Sequence, residues 1–568
     1  MKAKILTASA ALFAWGVLSS PQAFAQSDEC PCCYVPEAAN VSELARYENP
    51  EEAKSNPDGE RRQSVGYINF NVTGDEAIRE EFDLALGMLH HMMYRQARST
   101  FESIAEKDPD CAMAYWGIAT SLFQPLWPGR PSAEDLQRGW ELSNQARDLA
   151  ETDRERLLIE STAAFFRDPE TADYWTRIAR WAEGMEQAYE AYPDDLDTAA
   201  LYGLSRVALA QVVRNRDPLL DEAERVLGKV FEEAPAHPGG IHYSIHATDV
   251  DGRAENALDR VEAYGKIAPE VPHALHMPSH IYVRLGAWPE VIDWNARSAE
   301  SALNFPVGDR VSLHHIHALD YKLYGYLQQG NDAQAHEVLE DALTTEPYQE
   351  DFVVAFHKAI MPARYAVERR DWESAARLRP DRPDYLAWER YGWPRAISWF
   401  ARGIGGLKTG DLESAREAEQ EIIALRDEAR EAGEEAFETY IEVDRLILSG
   451  WLAWADGEYD EAVELMRESA KLEPTVEKHP VTPGALYPPY EALGDLLMAL
   501  DRPEEALDAY EAGDAMWPER RNTLLGAMRA ARALGDDEQA REFHERLLKS
   551  AGLGDHPILT EVRKVMGE

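Results

Sequence analysis

Histidines 242, 246, 276 and 280 form two His-x-x-x-His pairs, the second following the first by 34 residues. In a helix, side chains four apart share one face with Cβ atoms about 6 Å apart, and packed helices run about 10 Å axis to axis. If the two pairs stand at one height on neighbouring helices, His242, His246, His276 and His280 offer four imidazole nitrogens to one point. That donor set suits Zn²⁺, with Zn–N near about 2.0–2.1 Å, and copper also accepts imidazole. The surrounding sequence widens the set. His273 and His317 are further candidate ligands, while Asp249 and Asp320 are candidate carboxylate ligands or acceptors that fix a ring tautomer. Any one of these histidines has a plainer explanation: a hydrogen bond to the next helix, or a contact to an acidic or aromatic peptide. The repeated spacing is what favours a cation.

Other chemistry is poorly represented. The residues inside the pairs are Tyr243, Ser244, Ile245 and Met277, Pro278, Ser279, so the glutamate of a zinc protease is missing; there is no Gly-rich phosphate loop and no nucleophile elbow. A metalloenzyme would need an open coordination position and a nearby acid or base. Asp249, Asp320 and Tyr324 are the candidates for that role, with no substrate indicated. His90 and His91, among Met88, Met92 and Met93, read as core filling, unless a superhelical turn returns His90 to the axis. His314 and His315 belong to the entry of a helix.

The elements that carry these residues are helix pairs. Residues 487 to 518 place Tyr490, Gly494, Ala506, Tyr510 and Pro518 at positions 4, 8, 20, 24 and 32 of a repeat; Ala85, Ala97, Phe101 and Pro109 do likewise near the N-terminus. The pattern resembles the tetratricopeptide repeat (TPR) superfamily over almost all of the chain beyond the N-terminal arm. Between about residues 67 and 347 a narrower resemblance, to exported bacterial TPR proteins, rests on three strings. They are CAMAYWGIA (Cys111 to Ala119), HYSIHATD (His242 to Asp249) and PHALHMPSHIYVRLG (Pro272 to Gly286). The resemblance implies an all-α, right-handed solenoid of about 11–12 helix-turn-helix repeats.

In TPR frames His242 and His246 take positions 5 and 9 of one helix A, and His276 and His280 the same positions of the next, with His273 at position 2. His317, Asp320 and Tyr324 take positions 2, 5 and 9 of the following repeat, His357 position 2 of the one after, and Asp249 position 12 of the first. TPR ligands often lie against such positions on the concave face. The family therefore implies a metal-free alternative, a scaffold for a peptide or envelope protein contacted by residues such as Arg364 and His317. Pro278 should bend or restart its helix, either setting His273 and His276 ahead of it or aiming His276 inward; Pro362 occupies the same frame position. Two connections exceed the repeat minimum, Gln124 to Pro131 and Glu473 to Pro489.

Composition bounds the partners. Asp+Glu number 103 against 58 Lys+Arg, a formal charge of −45 that repels phosphate backbones and argues against nucleic acid. Residues 1–25 read as a signal peptide, with Lys2 and Lys4, an apolar stretch and Ala23-Phe24-Ala25 before Gln26. No later segment reaches the apolar length of a membrane span, so the expectation is a periplasmic or secreted protein. The expected divisions are a flexible arm over 26–66, N-terminal repeats over 67–235, His-rich repeats over 236–347 and C-terminal repeats with a cap over 348–568. Cys30, Cys32, Cys33 and Cys111 permit disulfides, or a thiolate cluster near the new N-terminus.

Overall fold

The computed structural model describes residues 65–565 apart from 128, 212, 214, 552 and 553, and from Glu76 onward helix follows helix. The signal-peptide reading and the pairing of Cys30, Cys32 and Cys33 lie outside the described residues. Successive helices pack on one another, and alternate helices such as Gly392–Thr409 and Glu435–Asp456 also pack together, as in stacked helix hairpins. The architecture is an all-α TPR solenoid. Its small positions work as the sequence requires: a Cβ added to Gly494 would meet Tyr510 Cε1 at 2.6 Å, and Ala506 and Ala462 are fully buried. Among the described residues extended backbone forms only isolated bridges, and 65–72 runs as an extended piece tied down by Tyr67 N–H donating to Ala236 O at 2.8 Å. No described helix is long and apolar enough to cross a membrane.

Two long-range closures shape the middle of the chain. The N-terminal helix Arg79–His90 packs against Pro238–Thr248, so the solenoid does return the His90 end to the central repeats. On the other side the C-terminal repeats close onto the centre through buried ion pairs. Arg520 bonds Glu368 at 2.8 Å, Glu491 at 3.2 Å and the Tyr324 hydroxyl at 2.6 Å, and Trp288 Nε1 donates to Glu519 O at 3.0 Å. The apolar core forms two large blocks, one running from Val65 to Phe305 and the other from Ala299 to Val562. The histidine-bearing helices lie where those blocks meet.

Candidate metal centre

The helix Pro238–Thr248 starts with Pro238 at its first turn, where a missing N–H costs nothing, and with His237 as cap, its Nδ1 accepting from Gly240 N–H. Every residue of this helix is buried, so His242 and His246 project into the interior. Helix Pro272–His276 gives way at Met277 to Pro278–Arg284, and this break puts His276 and His280 on adjoining segments. The proline aims His276 inward, since His276 and His280 are both 1% exposed and their Nε2 atoms stand 3.0 Å apart. Leu313–Gln328 supplies His317 and Asp320, and Phe352–Glu368, with Pro362 inside it, supplies His357.

The imidazoles gather as two trios. In His242, His246, His273 and again in His276, His280, His317, one nitrogen from each ring lies within 4.8 Å of the others, and all six residues are buried. The expected quartet of 242, 246, 276 and 280 is therefore not the tightest grouping. Each pair at positions 5 and 9 is completed by the position-2 histidine of the following repeat, because successive A helices pack side by side. The trios touch, with His246 and His280 ring centroids 5.7 Å apart and His273 and His276 at 5.9 Å.

Outer hydrogen bonds fix which nitrogen faces inward. Asn295 Nδ2 donates to Val291 O at 2.7 Å, so its Oδ1 accepts at 2.7 Å from His276 Nδ1–H, leaving His276 Nε2 a bare lone pair. His280 Nδ1–H donates to Asp249 Oδ2 at 2.8 Å, and that carboxylate is also held by Arg284 at 2.9 Å and Lys478 at 3.0 Å. Burial pushes the Asp249 carboxyl up, but Lys478, Arg284 and His280 outweigh it and keep it well below the usual carboxylate range. His242 Nδ1–H donates to His90 O at 2.6 Å. His317 Nδ1–H donates to His357 Nε2 at 2.9 Å, and His357 Nδ1 lies 3.2 Å from Asp320 Oδ2, off the ideal line but close enough for the carboxylate to favour that tautomer. Asp249 and Asp320 thus stand behind the rings as orienting acceptors; the expectation that they might ligate directly gives way to this geometry. Inside, His242 Nε2, His246 Nε2 and both nitrogens of His273 have no protein partner. Burial, reinforced by the neighbouring rings, holds His242, His273, His276 and His317 well below the ordinary imidazole value and pushes His246 down to about 3. These are neutral rings at pH 7.

Both long loops marked in the sequence cover this chamber. From the first, Trp127 packs on His273 and His317 with ring centroids 5.2 and 5.8 Å away; from the second come His479, Pro480 and Val481. Together with His246, His273, His280 and His317 they line a cavity of about 20 Å³. A larger pocket of about 420 Å³, bordered by Arg130, Trp175, Arg216 and Lys478, reaches His246 from outside.

Other expectations fared differently. Arg364 and His317, read as groove contacts, are internal, because residues 482–484 fill the concave face: Arg364 bonds Asp320 at 3.1 Å, Thr482 Oγ1 at 3.0 Å and Gly484 O at 3.3 Å. Tyr324 turns toward Arg520, away from the trios. Tyr321, unmarked in the sequence, stacks edge-on against His276 at 4.5 Å while its hydroxyl lies 2.8 Å from Pro480 O. His314 lies beside His273 at 5.3 Å, and His315 bonds the Tyr348 hydroxyl at 2.7 Å. A third group, His90, Asp197 and His237, is a satisfied network: both histidines bond Asp197 Oδ1, at 2.9 and 3.1 Å, and their second nitrogens are bonded to Tyr243 and Gly240. The signals that sequence reasoning passed over were Asn295 and Lys478, polar residues in otherwise packed surroundings.

No protein-family model and no curated protein matches the chain. Among solved structures it is similar to a monomeric mutant of IFIT1 with Gppp-AAAA, at 12% identity over 84% of this chain and 96% of that one, TM-score 0.36. It is also similar to the APC/C hetero-tetramer Cut9-Hcn1, at 13% identity over 86% and 96%, TM-score 0.26. Superpositions this loose say nothing of ligand or partner.

Proposed function

We propose that this is an exported TPR protein whose central repeats hold a transition-metal centre, zinc or copper, on imidazole nitrogens. One observation carries the reading: His276 and His280 have both Nδ1 protons committed outward, to Asn295 and Asp249, yet their Nε2 atoms stand 3.0 Å apart. Two lone pairs at that distance repel unless a cation lies beside both. Two nitrogens about 2.0–2.1 Å from one ion are naturally separated by about 3.0–3.4 Å. A shared proton would need an imidazolium in a chamber where burial and its neighbours disfavour one. Metal analysis of untagged protein beside a His246→Ala/His280→Ala variant tests the proposal. Bound zinc or copper in the parent and its loss in the variant support it; equal, negligible metal in both ends it.

The pocket of about 420 Å³ that reaches His246 favours a second reading, in which the centre acts on a small molecule. Azide, used as a probe, should then shift the spectrum of the copper-loaded protein, and an unchanged spectrum would count against it. A protein or peptide partner, the metal-free alternative, would not be held by Asp320 or Arg364, which are engaged with each other and with Thr482. Export to the periplasm rests on the leader reading. A mature N-terminus at Gln26 would support it, and retention of residues 1–25 would end it.

A further inference from the structure

Six buried imidazoles gathered in one chamber are more donors than one ion can use. A zinc-like ion takes about four ligands, which would leave at least two rings with buried, unpartnered nitrogens, an arrangement that folding penalises. The trios also have the same construction: positions 5 and 9 of one repeat with position 2 of the next, the second displaced by one repeat. Whatever the first trio holds, the second is built to hold as well.

The space between them narrows the matter further. The cavity of about 20 Å³ is walled by His246 and His273 from one trio, by His280 and His317 from the other, by His479 of the covering loop, and by Leu126, Trp127, Pro480 and Val481 elsewhere. A cavity needs roughly 10–15 Å³ to admit one water, so this one accepts a single oxygen atom or a diatomic and nothing larger. Its only polar walls are imidazoles.

We propose that the centre is dinuclear: one ion on His242, His246 and His273, a second on His276, His280 and His317, with one water-derived oxygen bridging them in the cavity. The inference rests on the metal reading above and sharpens it. On binding, the water loses one proton to solvent and the hydroxide oxygen bonds both ions, its charge partly offsetting theirs. Three histidines leave each ion an open position, the arrangement of reactive rather than structural sites. The ligand class that fits is a small oxygen or nitrogen donor able to span two metals. The third rung of the same pattern has Asp320 at position 5 and Tyr324 at position 9, and its position-2 histidine, His357, is spent orienting His317, so the series stops at two.

The test uses the full chain without an affinity tag, stripped with chelator and loaded with Cu²⁺ alone. Copper per chain is measured by mass spectrometry, and its spins by electron paramagnetic resonance. The expected result is two coppers per chain with a signal far weaker than the copper content, because a hydroxide bridge pairs the two spins. His273→Ala and His317→Ala, each checked for native circular dichroism, should drop to one copper per chain and recover a full signal. One copper per chain at full signal in the parent overturns the dinuclear centre and leaves the metal reading intact. Two at full signal overturns the bridge and with it the proposal. No bound copper overturns both readings, since a site of imidazole nitrogens binds Cu²⁺ at least as tightly as zinc.

Discussion

Asn295 does for His276 what Asp249 does for His280: each takes an Nδ1 proton and turns the opposite nitrogen inward. Partners of this kind typically change metal affinity by about 10–100-fold. Asn295→Ala should therefore weaken binding by about 10-fold or more without altering stoichiometry, read by competition against a chelator. Asp249→Asn is expected to act on folding as well, since it strips the carboxylate from buried Arg284 and Lys478. Removing one partner from a buried ion pair costs about 3–5 kcal/mol, which denaturant titration of the apo protein would detect. A residue-scale pH effect lies elsewhere. Burial, with Glu473 nearby, pushes the Asp444 carboxyl up to about 8. A raised folded-state value means that its contribution is full below the unfolded value of about 4 and is lost as pH rises through about 8. Thermal melts of wild type and Asp444→Asn should therefore diverge between those limits, with wild type losing ground as pH rises; parallel curves would contradict the assignment.

At the scale of elements, the site is three helical stretches, one of them broken at Met277, with two loops folded over them. The spacing of His242, His246, His276 and His280 was legible because a solenoid converts an offset of one repeat into adjacency, and the position-2 histidines 273 and 317 were legible as donors for the same reason. Their grouping was not. Whether position 2 of one helix A lies level with positions 5 and 9 of the helix before it depends on the stagger between repeats, which no local pattern encodes, and Pro278 left the direction of His276 open until the break at Met277 was seen. The two loops stood out by length and proline content, yet what they cover is a tertiary fact. Trp127→Ala removes the ring packed on His273 and His317. It should speed metal removal by chelator severalfold, measured by stopped-flow, while equilibrium metal content stays the same.

For the whole molecule, repeats reveal class and extent well, because the small positions recur wherever two helices approach closely, as at Gly494 beneath Tyr510. Closure is another matter: nothing in the period says that Arg79–His90 returns to Pro238–Thr248 or that Arg520 reaches Glu368. Nor does the period say that residues 482–484 fold over Arg364 and make it internal. If the centre is as proposed, each histidine trio carries one metal ion. Anomalous diffraction from crystals of metal-loaded protein, collected at the zinc or copper edge, tests it most directly. The expected result is density within coordination distance of His276, His280 and His317, with a second peak at His242, His246 and His273. A map without anomalous density there, the rings bonded only to protein or water, would contradict it.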